Sequence, residues 1–545
     1  MRIDEFSYPF RMLSCQASTL ADEVDVFVFS RIPLLAQRLL VSLAVLAAGA
    51  ACAAGPVLPA NPGAWRAAAE ADIDAAVQVT RENHPGAHDP HNPSFPNRLD
   101  DARRRGLALA ARVTDAAGYA AAVNGFTAAI GDGHAGMRVL LDPSALPALR
   151  WPGFVTVWRG DALYIYAAQA GGPAPGSKLL GCDDRRGDAL IRENVFGFEG
   201  RVREAGQWWA AAPHLFVDSG NPFLQLPQRC RFAQGANETE YLLSWRAIDA
   251  EGRRWLEDSE YGDVHPVGVT APRPGLAWVA MPTFHPDEAE RAAYRAMTRD
   301  AADNRARWLA LDAVVIDLRK NGGGNSTWSQ DFARALWGKE RVARALQAFS
   351  GQSEVWWRAS PANTDYVFWM AGEMEKQGLP EGAAWARSNA EGMRAALGRG
   401  ERFHVQKADQ PAVVGAPDTT PAFTRPVYVI VPGDCASSCL DALDVFTRFP
   451  NTTLVGAPSS ADSTYMEVRR HPLASGLARV MVPNKMYVKR GRANGQFYPA
   501  AIEVREVAWS TAAFLKTVEA DLARRRVSRD AAQTDPAQTD SHNTQ

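Results

Sequence analysis

Two serines lie between two cysteines where a buried-strand pattern changes into a helical pattern. Residues 427–431 (VYVIV) are apolar or aromatic, the segment 432–439 (PGDCASSC) contains a turn, and apolar residues then recur at helical spacing. Ser437 is therefore predicted at or just before a helix N-terminus, where free N–H groups and the helix dipole favour developing negative charge. Its hydroxyl could cap the helix, or it could be a catalytic nucleophile.

A run of three glycines follows a second apolar strand pattern. In the segment 314–325 (VVIDLRKNGGGN), the glycines can turn tightly and leave their amide hydrogens unshielded. Such amides can stabilise an oxyanion, although a glycine run can also be an ordinary turn. We predict that the amides of Gly322 or Gly323, together with that of Ser438, bind the oxyanion if Ser437 is a nucleophile.

A nucleophilic serine needs a general base, and His134 is the candidate. It lies in the segment 130–137 (IGDGHAGM), between Gly133 and Gly136, after a helical pattern and before a β-rich one. Glycines on both sides allow a histidine to project into a cleft. The alternative is a loop histidine without a role.

Three further histidines, His84, His88 and His91, lie together in the segment 84–91 (HPGAHDPH). Their spacing resembles a metal site, but prolines break the segment and no matching cysteine or glutamate signature accompanies it. We predict a polar surface loop there, and no metal or other cofactor.

The elements that must position these residues indicate an α/β protein. Apolar strand patterns alternate with helical patterns between residues 276 and 456, which predicts a βαβ core of mainly parallel strands. In such sheets, functional sites gather at the carboxyl ends of the strands. The glycine run and Ser437 each follow one of these predicted strands, so both are expected at the same edge of the sheet.

Other regions carry different patterns. We predict an N-terminal helical domain over residues 64–140, a small β-rich module over 151–248, a catalytic domain over 265–520 and a disordered tail over 524–545. A helical insertion, residues 340–410, is expected to pack over the site as a cap. Its Trp356 and Trp357 are the candidate substrate-binding residues, and the alternative is a satellite helical bundle packed elsewhere.

The N-terminal 53 residues are expected to be a signal peptide region. Two arginines precede an apolar run at 39–50 (LLVSLAVLAAGA), and small residues follow it. This pattern predicts a periplasmic or secreted protein without a membrane span after signal removal, and an uncleaved anchor is the alternative. The formal net charge of -2 gives no general attraction to nucleic acid.

Export permits disulfides among the four cysteines that follow the leader. These allow three pairings, and Cys182 with Cys230 and Cys435 with Cys439 is the simplest. Four unpaired buried thiols are the alternative. A bridge between Cys435 and Cys439 requires the helix to begin between them, because a continuous helix would strain it.

The motifs together resemble peptidase family S41, the tail-specific or C-terminal processing serine proteases, and their tricorn-like relatives. The segment 317–324 (DLRKNGGG) is similar to the family block DLRxNGGG, 435–443 (CASSCLDAL) to the nucleophile block, and 454–458 (LVGAP) to the block that follows it. The segment 131–136 (GDGHAG) resembles the DGHT block of members that use histidine. The resemblance implies a ClpP/crotonase-like fold and identifies Ser437 as the nucleophile.

Two departures from the family pattern affect the expected catalytic set. Asp462 stands where many members carry the lysine of a Ser–Lys dyad, which favours His134 as the base. Tricorn-like members orient the histidine with a glutamate, and the corresponding segment 494–504 (NGQFYPAAIEV) has no glutamate at the expected place. Asp462, Asp132 or Glu467 could replace it, and we predict Asp462 as the third catalytic residue.

The resemblance also implies a PDZ domain before the core, and the segment 175–190 (PGSKLLGCDDRRGDAL) resembles a PDZ phrase, without a recognisable carboxylate-binding loop. We therefore expect an exported serine peptidase acting on a peptide or protein through an acyl-enzyme on Ser437. A noncatalytic peptide-binding protein on the same scaffold and an esterase-like serine hydrolase are the alternatives.

Overall fold

The computed structural model describes residues 57–376, 378–406 and 421–534. The expected signal peptide region lies outside the described residues. The described helices are α1 (Pro62–Asn83), α2 (Phe95–Ala110), α3 (Ala116–Ile130), α4 (Gly187–Leu190), α5 (Ala205–Ala211), α6 (Ala250–Tyr261), α7 (Glu288–Asp303), α8 (Arg305–Leu309), α9 (Thr327–Trp337), α10 (Lys339–Ser350), α11 (Pro361–Lys376), α12 (Pro380–Gly398), α13 (Ser438–Phe446) and α14 (Thr511–Thr534).

The strands form four sheets. They are β1 (Gly136–Val139), β2 (Arg150–Trp151), β3 (Phe154–Trp158), β4 (Leu163–Ala168), β5 (Lys178–Cys182), β6 (Arg185–Arg186), β7 (Arg229–Gln234), β8 (Asn237–Leu242), β9 (Arg246–Ala247), β10 (Gly268–Arg273), β11 (Leu276–Ala280), β12 (Ala313–Asp317), β13 (Glu354–Arg358), β14 (Phe403–Gln406), β15 (Val427–Val431), β16 (Thr452–Gly456), β17 (Tyr465–Pro472), β18 (Ala478–Val488) and β19 (Ile502–Glu503).

The central sheet has the order β10-β11-β12-β15-β16-β19. From β11 to β19 every neighbouring pair is parallel, and only β10 runs antiparallel to its neighbour. Every residue of β11, β12 and β15 is buried, as expected for strands covered on both faces. Because β12 and β15 are parallel neighbours, the glycine run and the Ser437 turn leave the sheet at the same edge.

Side chains on the two faces of this sheet enter different cores. Val315 and Tyr428 face a core shared with the β-rich module and with Phe514 of α14. Val314 and Val429 face a core that includes α7, α9 and α13. Because successive side chains of a strand point to opposite faces, the β-rich module packs on one face of the sheet and the helix that begins at Ser438 packs on the other.

The β-rich module is built on an antiparallel sheet of order β3-β4-β5-β7-β8, with β6 paired to β5. The disulfide Cys182–Cys230 joins β5 to β7 at directly paired positions. Its core is continuous with one face of the central sheet. The module therefore packs against the catalytic region along a shared apolar surface.

The predicted insertion contributes strands as well as helices. Its β13 and β14 extend a second sheet, in which β13 pairs with β18 and β18 pairs with β1. Helices α11 and α12 carry their own small core against β13. The helical pattern of residues 340–410 concealed these strands, because their pairing depends on β18, about 130 residues farther along the chain.

The predicted tail also differs from its expected state. Helix α14 continues to Thr534, so the first part of the segment 524–545 is helical, and residues 535–545 lie outside the described ones. Arg525 is paired with Asp521 one turn earlier (2.6 Å) and donates to Thr453. Composition indicated disorder there because these side-chain contacts, rather than apolar burial, support the helix.

Candidate active site

The backbone of Ser437 lies in the left-handed region. Its φ is +55° and its ψ is −126°, and α13 begins at the next residue. A non-glycine residue in such a conformation costs about 1–3 kcal/mol and persists only where the surroundings impose it. The Ser437 side chain makes no capping hydrogen bond to the helix, so the capping interpretation is wrong. A strained serine at a sharp strand-to-helix turn is the geometry that exposes a nucleophilic hydroxyl.

The Ser437 turn, residues 435–439, is closed by the disulfide Cys435–Cys439. Both cysteines are fully buried in the core beneath α13. The helix begins between them, which is the condition that the sequence set for this bridge. A covalent closure therefore spans the residue with the strained backbone.

Gly323 packs directly against this turn. A Cβ built on Gly323 would lie 2.8 Å from the Cβ of Ser437 and 2.9 Å from the carbonyl oxygen of Ala436, and its φ is +114°. Only glycine fits there, for both space and conformation. The Ser438 hydroxyl also donates to the Gly324 carbonyl oxygen (2.5 Å). The two strand ends that the sequence singled out are thus in contact.

The remaining residues of the DLRKNGGG segment hold the glycine run. Asp317 and Arg319 form a fully buried ion pair (2.7 Å) at the end of β12. The Asn321 amide donates to the Met281 carbonyl oxygen (2.8 Å), and its oxygen accepts the Gly323 N–H (3.0 Å). Because Gly323 already donates to Asn321, Gly322 and Ser438 are the better candidates for oxyanion donors.

Asp462 contacts the backbone of the Ser437 turn. Its Oδ2 accepts the Ser437 N–H at 2.6 Å and lies 3.7 Å from a guanidinium nitrogen of Arg492. Both side chains of this ion pair are almost fully buried. The carboxylate at the dyad-lysine position therefore holds the main chain of the candidate nucleophile.

His134 is buried, and its backbone is held by Asp132. The His134 N–H donates to Asp132 Oδ1 (2.8 Å), while Asp132 Oδ2 lies 3.7 Å from Nε2 of His84. Burial by itself raises the pKa of Asp132, but the interaction with the nearby His84 ring outweighs burial and lowers the pKa to about 2. Asp132 is therefore ionised and can hold the His134 loop, residues 132–134, at neutral pH.

His84 is not in a polar surface loop, contrary to the sequence-based prediction. It is fully buried, stacked on Phe95 with ring centroids 4.3 Å apart and edge-on to Tyr465 at 4.8 Å. Its Nδ1 accepts the Gly86 N–H (2.9 Å), which leaves the proton of the neutral ring on Nε2, facing Asp132. Burial lowers the pKa of His84. No local motif marks this role, since its partners are distant in the sequence.

The other predicted residues lie as follows. Glu467 pairs with Lys485 (3.2 Å). Trp357 is fully buried, donates to Gln406 (3.0 Å) and leaves no surface for a substrate, so the structure does not support a binding role for it. Trp356 is partly exposed beside Phe403, and its role stays a prediction. None of the described helices is both long and apolar enough to cross a membrane.

A strained serine on a strand-to-helix turn, packed against a glycine run at the edge of a parallel sheet, is an arrangement typical of serine hydrolases. Residues 275–498 match the model of peptidase family S41. The resemblance to the S41 serine peptidases seen in the motifs is therefore confirmed over these residues. No curated protein sequence matches the chain.

The fold is similar to that of mature CPAF. The crystal structure of mature CPAF has 12% sequence identity and a TM-score of 0.55, over 83% of this chain and 96% of that one. Mature CPAF complexed with lactacystin has 12% identity and a TM-score of 0.52, over 83% and 97%. The photosystem II D1 C-terminal processing protease has 13% identity and a TM-score of 0.31, over 82% and 98%. At these identities the CPAF matches show a common fold.

Proposed function

We propose that the chain is an exported serine peptidase that hydrolyses peptide bonds through an acyl-enzyme on Ser437. The observation that carries this proposal is the strained, uncapped Ser437 at the start of α13. Ordinary helix capping does not require a positive φ at a serine, whereas a sharp, strained strand-to-helix turn presents the nucleophilic serine in α/β-hydrolases. The match of residues 275–498 to peptidase family S41 supplies the substrate class.

In the proposed reaction, His134 takes the proton of the Ser437 hydroxyl as its oxygen attacks the scissile carbonyl carbon. The tetrahedral oxyanion accepts hydrogen bonds from the amides of Gly322 and Ser438. Collapse of this intermediate breaks the C–N bond, and His134 returns the proton to the leaving amine. Water, activated by the same histidine, then hydrolyses the acyl-enzyme and regenerates Ser437.

Two carboxylates have positioning roles in this proposal. Asp462 holds the Ser437 backbone and Asp132 holds the His134 backbone, since each accepts the corresponding N–H. The proposed catalytic set is therefore Ser437 and His134, with Asp462 assigned to the geometry of the nucleophile.

The proposed location is the periplasm or the extracellular space. Two disulfides in the described part of the chain suit an oxidising compartment. The apolar run and the small residues after it supply the proposed export signal.

A serine-reactive fluorophosphonate probe tests the proposal. The folded protein should be labelled, with the adduct on Ser437 by peptide mass spectrometry, and Ser437→Ala should abolish both labelling and peptide turnover. An adduct on Ser438, or no labelling of folded protein, would reject Ser437 as the nucleophile and favour the noncatalytic peptide-binding alternative. If the probe labels Ser437 and the unlabelled protein hydrolyses esters but not peptides, the chain would instead be an esterase-like hydrolase.

A further inference from the structure

A segment of the β-rich module contacts the loop that carries Asp462. We call residues 201–207 the anchor segment and residues 459–462 the Asp462 loop. Oε2 of Glu204 accepts hydrogen bonds from the Ser460 hydroxyl (2.8 Å) and from the Ala461 N–H (3.1 Å). One carboxylate oxygen thus fixes the side chain of Ser460 and the main chain of Ala461, the two residues that precede Asp462.

Arg201 extends the same contact toward the candidate base. Its guanidinium pairs with Glu204 and donates to the Ser460 hydroxyl (3.1 Å). On its other side, a Cβ built on Gly133 would lie 3.0 Å from Nη1 of Arg201. The guanidinium therefore lies between the Asp462 loop and the residue that precedes His134.

The anchor segment also approaches the start of the Ser437 turn. A Cβ built on Gly206 would lie 2.3 Å from the Gly433 carbonyl oxygen and 2.4 Å from the carbonyl carbon of Ser459. Contact this close between backbones leaves little room for relative movement. The Arg201 and Glu204 side chains are only 14% and 13% exposed, so their charges interact with little screening by solvent.

We propose that Glu204, paired with Arg201, is a positioning residue of the active site. It holds the Asp462 loop so that Asp462 can accept the Ser437 N–H, and the Arg201 guanidinium supports the His134 loop beside it. The β-rich module thereby completes the geometry of a site whose reacting groups lie elsewhere in the chain. This inference rests on the proposed function, because it concerns the same nucleophile.

The variants Glu204→Ala and Glu204→Gln test the proposal in the full-length protein. Glu204→Ala frees the Asp462 loop without touching the substrate, so kcat should fall roughly 10- to 100-fold, the range for small misplacements of reacting groups, while KM stays within about twofold. The rate of fluorophosphonate labelling should fall in parallel. Glu204→Gln keeps an acceptor oxygen for Ser460 and Ala461, so it should recover most of the lost kcat.

A control and a second variant keep the outcomes separable. Glu193 pairs with Arg185 on the exposed face of the same module, so Glu193→Ala should leave kcat and labelling unchanged. If Glu204→Ala fails to fold, Ser460→Ala removes the hydroxyl partner without leaving a buried charge unpaired, and it should still lower kcat several-fold.

The contrary results differ for the two proposals. Unchanged kcat in both Glu204→Ala and Ser460→Ala, or a rise in KM with kcat unchanged, would overturn the positioning role. Activity in Ser437→Ala would instead overturn the proposed function, whatever the Glu204 variants show.

Discussion

The Ser437 turn and the His134 loop carry the two proposed catalytic side chains, and the chain holds them by different means. The Ser437 turn is closed locally, by a disulfide between residues four apart. The His134 loop is held by its own Asp132, which accepts the His134 N–H, and by two residues from elsewhere in the chain, His84 behind Asp132 and Arg201 against Gly133. Both segments have a motif in the sequence, but only the turn also carries its covalent restraint there, whereas nothing local marks the contacts of His84 and Arg201 with the His134 loop.

The Ser437 turn and the His134 loop also differ in how rigidly their backbones must be held. The Ser437 turn keeps a costly backbone conformation, so its restraints must act on the main chain, as the disulfide and the Asp462 hydrogen bond do. The His134 loop turns at glycines and needs its restraints to orient the segment rather than to oppose strain. Substitutions at the Ser437 turn should therefore lower kcat strongly, and substitutions behind the His134 loop should have smaller effects.

The largest effect is expected when either reacting group is removed. His134→Ala should lower kcat/KM by about four to six orders of magnitude, as Ser437→Ala should, because each group is useless without the other. For the same reason the double variant should be no worse than either single variant. Steady-state kinetics of the three proteins, with circular dichroism to confirm folding, measure this. Substantial activity in His134→Ala would identify a different base.

Gly323→Ala should have the next largest effect. The new methyl would collide with the Cβ of Ser437, and the positive φ would add strain, so kcat should fall roughly 100-fold or more. Gly235 is a matched control, because its φ is also positive (+62°) while nothing lies within 4 Å of a Cβ there. Gly235→Ala should cost about 1–2 kcal/mol of stability and no activity. Equal kinetics for the two variants would show that Gly323 does not position Ser437.

The comparison also explains what the sequence could predict. The sequence predicted the strand ends, the glycine run and the CASSC turn, because hydrophobic periodicity and turn residues are local signals. The contact of Gly323 with Ser437 then followed from the parallel pairing of β12 and β15. His84 was misassigned because its polarity and the nearby prolines suggested a surface loop, while its burial depends on Phe95 and on Tyr465, which lies 381 positions later. Nor can a sequence reveal the φ of Ser437.

The two disulfides should separate local geometry from global stability. Cys435→Ala with Cys439→Ala should lower kcat about tenfold and cost only about 2 kcal/mol of stability, since so short a loop loses less entropy on closure. Cys182→Ala with Cys230→Ala, which opens a separation of 48 residues, should cost about 4 kcal/mol of stability and leave kcat near the wild-type value.

Kinetics and thermal melts of both double variants, beside the wild type treated with mild reductant, measure this difference. Mild reduction should lower activity before it lowers the melting temperature. Unchanged kcat after loss of the Cys435–Cys439 bridge would show that the Ser437 turn holds its conformation without covalent closure.

The smallest effect is expected behind the His134 loop, as a change in the pH dependence of stability. Burial lowers the pKa of His84 below its ordinary value of 6.5, so the unfolded chain binds a proton more readily than the native one as the pH falls past that value. The contribution of His84 to native stability should therefore decrease on acidification below about pH 6.5. The pKa of Asp132, about 2, adds a separate loss only when the pH falls from 3.8 toward 2.

His84→Asn isolates the first of these contributions. The variant should melt at a lower temperature than the wild type at pH 7.5, because the ring contacts with Phe95 and Tyr465 are lost. Between pH 7.5 and 5.5, however, its melting temperature should fall less than that of the wild type, because the titrating group is gone. Identical slopes for the wild type and His84→Asn would mean that burial does not lower the pKa of His84.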